Sequence, residues 1–228
     1  MTDRADTAHP DTAHPDTAIV DVDGTLVDTN YHHALAWFRA FRRFGVTLPV
    51  WRLHRAIGMG GDQLVPAVAG NRFEDDHGDA VREAWKDEFD PLMGEVRPFG
   101  GVCELLTAFG ESGLKVVLAS SGAPEHVDAY LDLFDGRRLA DAWTTSEDVD
   151  RTKPEPDLIT AALDRVRGEV GIVIGDSVWD FRAAERAGQR GYAIRTGGFS
   201  ESELREAGAR NVFESLPELH QALPRILG

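Results

Sequence analysis

Two carboxylates follow the first predicted strand of this sequence. The stretch AIVDVDGTLVDT, residues 18–29, begins with apolar residues and places Asp21 and Asp23 where the strand ends. Side chains two positions apart on a strand point the same way, so both acids would share one face and repel each other in a poorly hydrated crevice. A cation between them would remove this repulsion. Gly24 predicts a sharp turn directly after the pair.

Further polar residues end two later strands. The apolar runs KVVLA and GIVIG predict strands that are followed by Ser120 and Ser121 in one case and by Asp176 in the other. Helix-like segments separate these strands, and such alternation predicts parallel pairing in an open, doubly wound α/β sheet. In this fold class the active site lies at the carboxyl ends of the strands. We therefore expect the acids and hydroxyls to meet at one edge.

Phosphoryl transfer is the chemistry that best fits these groups. Mg2+ accepts one or two carboxylates together with substrate phosphate and water. One carboxylate can then attack phosphorus while a second protonates the leaving oxygen. The serine hydroxyls and a lysine would bind the phosphoryl oxygens. Lys153, in the segment RTKPEPD, can supply that cation, and it is one of few lysines among 24 basic residues.

The composition limits the classes of partner. The 228 residues carry a formal net charge of −15, which argues against nucleic acid and anionic membrane surfaces. No apolar run is long enough to span a membrane, and the N-terminus lacks a secretory pattern. Cys103 is the single cysteine, so an intrachain disulfide is impossible. We expect a cytoplasmic protein that acts on a small phosphorylated metabolite.

The chain divides into a leader, a helical block and an α/β part. Residues 1–16 repeat the unit DTAHP and predict a disordered leader. Residues 30–95 carry helical spacing without a clear strand pattern, which predicts an inserted helical domain. The strand–helix alternation assigns residues 17–29 and 96–228 to the catalytic core.

Four ordered segments resemble the motifs of a known family. DVDGTLVDT, LASS, KPEPD and GDSVWD are similar to the four motifs of the haloacid dehalogenase superfamily of phosphohydrolases. They occur in the family's order within residues 17–195, and the helical block resembles the family's C1-type cap domain. The resemblance implies a Rossmann-like core and a Mg2+-dependent phosphatase.

The resemblance also implies roles for the phosphoryl-binding residues. Asp21 resembles the nucleophile that forms an aspartyl phosphate, and Asp23 resembles the general acid and base. Ser120 looks like the hydroxyl that binds the phosphoryl group, with Ser121 beside it. Lys153 looks like the cation that offsets charge around that group.

The fourth motif and the cap complete the implied site. Asp176 resembles a Mg2+ ligand that Asp180 supports, while Asp21 and the backbone carbonyl of Asp23 would complete the metal site. In the cap, His33 resembles a histidine of phosphosugar mutases and of many phosphatases that carry a cap. Arg55 and Gly58 resemble the substrate-specificity segment, where Arg55 could bind an acidic or sugar group. His33 and Arg55 could equally serve packing or the surface.

The expected reaction is hydrolysis of a small phosphomonoester of the phosphoglycolate or sugar phosphate type. The second acid, Asp23, argues against a dehalogenase, since a halide leaves without a proton. The one lysine of the cap, Lys86, is far from the specificity segment, which argues against a phosphonatase. Two alternatives stay open: a mutase of the beta-phosphoglucomutase type, and a metal-binding regulator without turnover.

Overall fold

Six parallel strands form the centre of the structure, a computed structural model that describes residues 14–228. Across the sheet the order is β3-β2-β1-β4-β5-β6, and each neighbouring pair is parallel. This order confirms the predicted doubly wound α/β fold. The strands are β1 (Thr17–Asp21), β2 (Lys115–Ala119), β3 (Ala142–Thr144), β4 (Gly171–Gly175), β5 (Arg190–Ile194) and β6 (Ala209–Phe213).

Apolar residues on both faces of the central strands form the core. All five residues of β1 and all five of β4 are buried, as expected for strands that helices cover on both sides. Successive side chains alternate between the faces: Ala18 and Val20 join one cluster, while Ile19 joins another. The sheet is therefore a rigid layer whose strand ends are fixed by packing on both sides.

Helices cover the two faces of this sheet. One face packs against α5 (Val102–Glu111) and α11 (Leu216–Leu227), and the opposite face packs against α8 (Asp157–Val166) and α9 (Val178–Arg186). Sequence reasoning missed α7 and α10, because both are short and largely polar. No helix within residues 14–228 is long and apolar enough to cross a membrane. These helices are α5 (Val102–Glu111), α6 (Pro124–Leu133), α7 (Gly136–Leu139), α8 (Asp157–Val166), α9 (Val178–Arg186), α10 (Glu201–Glu206) and α11 (Leu216–Leu227).

A helical block lies between β1 and α5 in the chain. Its apolar residues form a cluster of their own around Trp37, Phe41, Leu53 and Leu64. The 3-10 turn Asp90–Glu95 then leads the chain back toward the sheet. The block consists of α1 (Asn30–Arg43), α2 (Val50–His54), α3 (Gly61–Ala69) and α4 (Asn71–Phe89).

The folded chain begins earlier than the sequence predicted. Residues 1–13 of the predicted leader lie outside the described residues, but its last residues belong to the fold. Pro15 is buried. The carboxylate of Asp16 accepts hydrogen bonds from the backbone N–H groups of Glu169 (2.9 Å) and Val170 (3.2 Å) and from the hydroxyl of Thr17 (2.7 Å). Asp16 therefore ties the start of β1 to the loop before β4.

We expect Asp16→Ala to lower the free energy of unfolding by about 1–3 kcal/mol, since it removes a charged acceptor from backbone donors. Urea denaturation followed by circular dichroism measures this loss. Glu111→Ala, at an exposed position of α5, serves as the control and should change little. Equal midpoints for the two variants would show that the Asp16 bonds contribute nothing to stability.

Candidate active site

Strand register brings the predicted site residues together. Asp21 lies opposite Ala119 in the parallel pair of β1 and β2, so Ser120 follows beside it. On the other side, Val20 lies opposite Ile174 of β4, which puts Asp176 just beyond the strand end. The strand order reverses at β1, because β2 and β3 lie on one side of it and β4, β5 and β6 lie on the other. The carboxyl ends of β1 and β4 are therefore the switch point where ligands bind in such sheets.

Lys153 connects the acids at this edge. Its ammonium group pairs with Asp21 Oδ1 and lies 2.7 Å from Asp180 Oδ1. All three side chains are almost completely buried. Burial alone would lower the pKa of Lys153, but the charges of Asp180 and Asp21 outweigh it and raise that pKa above its ordinary value. Lys153 therefore remains a cation inside the protein.

Asp21, Asp176 and Asp180 form an acidic triad. One carboxylate oxygen from each lies within 4.8 Å of the other two. Burial raises the pKa of Asp21 well above its ordinary value; Lys153 opposes this, while the other acids reinforce it. Burial, and then the charge of Asp180, raise the pKa of Asp176 to about 7. The three buried carboxylates lie beside a single cation, Lys153, so their negative charge is only partly offset. Such a set of oxygen ligands matches the coordination chemistry of Mg2+.

Two neutral side chains orient this triad. The hydroxyl of Thr25 lies 3.0 Å from Asp21 Oδ2 and 3.0 Å from Asp176 Oδ1. The amide of Asn30 donates to Asp176 Oδ2 at 2.7 Å. Gly24 has a φ of +79°, as the predicted turn requires, and a Cβ there would overlap Asn30 and Asp176. Sequence reasoning missed Asn30, since nothing in its neighbourhood indicated a contact with Asp176.

The carboxylate of Asp23 points away from the acidic triad. Its Oδ1 lies 2.9 Å from His33 Nε2 and 3.2 Å from the hydroxyl of Thr29, and its Oδ2 accepts a hydrogen bond from Ser120 at 2.8 Å. Burial raises the pKa of Asp23, but His33 and then Ser120 outweigh burial and lower it overall. The side chain is thus ionised in this state, and only its backbone could contribute to a metal site.

A cavity of about 530 Å³ opens above these acids, between the strand ends and the helical block. Asp21, Asp23, His33, Gly58 and Ser121 all line it. The hydroxyl of Ser121 is buried and has no hydrogen-bond partner among the described residues, so it is available to an anion. The cavity thus brings five of the predicted site residues to one space.

The structure does not bring Arg55 to this cavity. Its guanidinium lies 4.0 Å from the centre of the Phe199 ring and pairs with Glu203 on α10. The neighbouring His54 Nε2 lies 2.9 Å from the carbonyl oxygen of Gly197. The C-terminal end of α2 is therefore held against the core, and the guanidinium of Arg55 lies outside the cavity. Spacing along the sequence could not indicate which way this arginine points.

Contacts between the helical block and the Lys153 loop form another side of the cavity. The backbone N–H of Gly60 donates to Thr152 Oγ1 at 3.0 Å, and the N–H of Thr152 donates to Asp62 Oδ2 at 3.1 Å. Thr152 immediately precedes Lys153. Sequence reasoning missed this contact, because Thr152 and Asp62 lie 90 residues apart.

Known proteins are similar in sequence to most of this chain. The family model described as haloacid dehalogenase-like hydrolase matches residues 15–188. The plasmid protein CbbY of Cupriavidus necator is 30% identical over 194 residues, which cover 75% of this chain and 74% of that protein. A phosphoglycolate phosphatase of Caulobacter vibrioides is 28% identical over 215 residues, which cover 91% of this chain and 90% of that protein.

A solved structure agrees with these sequence similarities. A hydrolase from Pseudomonas syringae superimposes with a TM-score of 0.87 and 30% sequence identity. The superposition covers 93% of this chain and 99% of that one. The similarity therefore includes both the sheet and the helical block.

We expect Gly58→Ala to reduce kcat/KM for p-nitrophenyl phosphate at least tenfold. Gly58 has a φ of +101°, and a Cβ there would overlap Ser177 Oγ and lie 3.0 Å from Trp179 Cδ1. The specificity segment could then not approach the Asp176 loop. Gly45→Ala is the matched control, since its φ is +74° but nothing lies within 4 Å of the new Cβ. Equal activity of the two variants would contradict a role for this close approach.

Proposed function

Because the chain belongs to the haloacid dehalogenase-like hydrolases and is a phosphoric monoester hydrolase, we propose that it is a Mg2+-dependent phosphatase for a small phosphomonoester. The observation that carries this proposal is the buried triad of Asp21, Asp176 and Asp180, with Lys153 paired to two of its members and Asp23 lining the same cavity as Asp21. The reaction would pass through an acyl phosphate on Asp21.

Asp21 is the proposed nucleophile. A carboxylate oxygen attacks phosphorus, and the bond between phosphorus and the alcohol oxygen breaks. Lys153 and the Ser121 hydroxyl supply positive charge and a donor for the phosphoryl oxygens, while Ser120 fixes Asp23. Asp21, Asp176 and the Asp23 carbonyl would hold Mg2+, with Asp180 in support. Bound Mg2+ would neutralise charge on the phosphoryl group and orient it.

Asp23 is the proposed acid and base. It gives a proton to the departing alcohol and later takes one from the water that attacks the aspartyl phosphate. The lowered pKa of Asp23 favours the ionised form, which is the form needed for the second step. An anionic phosphoryl group next to Asp23 opposes ionisation, because a like charge raises the pKa of a carboxyl group. Substrate binding would thereby favour the protonated form needed for the first step.

We expect Asp176→Ala to raise the Mg2+ concentration needed for half-maximal activity, since it removes one of three buried oxygen donors. Removal of divalent metal with EDTA should abolish phosphate release, and added Mg2+ should restore it. Calorimetric titration with Mg2+ gives a readout apart from activity, and Asp164→Ala on the exposed side of α8 is the control. Unchanged Mg2+ affinity in Asp176→Ala would remove this residue from the metal site.

We expect Asp21→Asn to abolish turnover and Asp23→Asn to reduce it about 10²- to 10⁴-fold, the usual effect of losing acid–base catalysis. The Asp23→Asn variant should lose less in the first step with p-nitrophenyl phosphate than with an alkyl phosphate, because p-nitrophenolate leaves without a proton. Rapid quench and intact-protein mass spectrometry should then detect phosphate on Asp21.

The same assay separates the alternatives. Equal first-step losses for both esters, without a trapped adduct, would assign Asp23 a structural role. Interconversion of hexose phosphates without phosphate release would identify a mutase. Absence of turnover with any ester in the presence of Mg2+ would favour the regulator.

A further inference from the structure

The cavity above Asp21 has room for the alcohol part of a substrate, and its walls carry a strong bias of charge. The inference drawn from this bias rests on the proposed phosphatase function. With the phosphoryl group at Asp21, the alcohol part must lie toward the helical block, where Trp37 and Trp85 form aromatic walls. The charges on this part of the cavity decide which alcohols can enter.

Acidic side chains surround the space for the alcohol. Asp62, Asp79, Glu83 and Asp150 all line it, in addition to the acids at the phosphoryl end. In the described part of the chain, neither Glu83 nor Asp150 pairs with a basic side chain. Asp62 is bonded to Thr152, which carries no charge. Most of this negative charge is therefore not neutralised by the protein.

The basic residues of the same walls are already paired. Arg82 lies 2.9 Å from Glu74 and 2.8 Å from Asp79. Lys86 lies 2.8 Å from Asp90 and 3.5 Å from Glu125. Each cation thus has two carboxylate partners that a substrate anion would have to displace.

Arg55 offers no substitute for these cations. It would be the natural partner for an acidic group, but it pairs with Glu203 outside the cavity. A second anion on the substrate would therefore meet carboxylates without a free cation in the described walls. Glu83 and Asp150 are exposed, so water screens part of this repulsion, but at separations of several ångström it still weakens the binding of an anion.

Two polar atoms of the walls have no partner of their own. His126 is 3% exposed, and its Nδ1 makes no hydrogen bond within residues 14–228, although its Nε2 lies 2.8 Å from Asp90. The indole N–H of Trp85 is also buried without a partner in the same range. Buried polar groups of this kind normally bind something.

The aromatic walls suit the same class of ligand. The rings of Trp37 and Trp85 are stacked with centroids 5.4 Å apart, and both line the cavity. Both residues add apolar surface to the walls, which can pack against the carbon frame of an alcohol. They have no comparable attraction for a carboxylate or a second phosphate.

We propose that the substrate is a phosphomonoester whose alcohol part carries no acidic group and is neutral or positively charged. Esters with a carboxylate or a second phosphate in the alcohol part are discriminated against by the unpaired acids of the walls. This inference separates the chain from the phosphoglycolate phosphatase that it resembles in sequence.

Three esters of equal length test the proposal: 2-aminoethyl, 2-hydroxyethyl and carboxymethyl phosphate, which differ mainly in the charge of the alcohol part. Each is assayed with Mg2+ as a competitor of p-nitrophenyl phosphate, so an inhibition constant is obtained whether or not the ester is hydrolysed. The inhibition constant of carboxymethyl phosphate should be at least tenfold higher than those of the other two. A smaller ratio to either ester, or no competition by any of them, overturns the proposal.

Charge-neutralising variants identify the cause of this selectivity. The double variant Glu83→Gln/Asp150→Asn should reduce the ratio at least threefold, because it removes two of the unpaired acids. Glu111→Gln/Glu206→Gln changes the net charge equally at exposed positions that do not line the cavity, and it should leave the ratio as in the wild type. An equal ratio in both double variants overturns the electrostatic explanation. If the wild type does not hydrolyse p-nitrophenyl phosphate at all, the proposed phosphatase function itself is wrong.

Discussion

The Lys153 ammonium lies between the carboxylates of Asp21 and Asp180 in the interior of the protein, where an unpaired charge would be strongly destabilising. Removing Lys153 would leave two buried carboxylates uncompensated. The arrangement has more negative than positive charge, because one ammonium faces two carboxylates; burial and then the charge of Asp180 raise the pKa of the nearby Asp176 to about 7. The strand ends therefore form a framework with an excess of negative charge, which a bound divalent cation would offset.

The helical block reaches this framework from two sides. On one side, Gly60 and Asp62 bond to Thr152, the residue before Lys153. On the other, Arg55 pairs with Glu203 and His54 approaches the Gly197 carbonyl. The block is thus tied to the core at both ends of its specificity segment, and the cavity is the space between these contacts. Separation of the block would open the cavity and expose the acids to water, which would weaken their interactions.

His33 connects the helical block to Asp23. It belongs to the first helix of the block, yet its Nε2 lies 2.9 Å from Asp23. Its ring stacks on Phe89 with centroids 4.1 Å apart, so packing fixes its orientation. The pKa of Asp23 is lowered through this contact despite burial. A contact from the helical block therefore contributes to the lowered pKa of Asp23.

The sequence by itself determined the parts of the protein that depend on local pattern. Buried apolar runs and helical spacing predicted the strands and the longer helices, and parallel pairing then required the polar residues after β1, β2 and β4 to meet at one edge. Asp21, Ser120 and Asp176 lie there because strand register is fixed by burial on both faces. These positions follow from short-range physics, so reading the chain was sufficient.

Only the tertiary structure decided how side chains from distant segments point and pair. Arg55 turns to Glu203, 148 residues away, and Asp62 to Thr152, 90 residues away. The approach of Asn30 to Asp176 and the charge of the cavity walls are of the same kind. Such contacts are set by the packing of the helical block on the core, and side-chain direction across that interface leaves no periodic signal in the sequence. The fold and the meeting of polar residues at one sheet edge could therefore be predicted, whereas the charge pairing of the cavity walls required the packed structure.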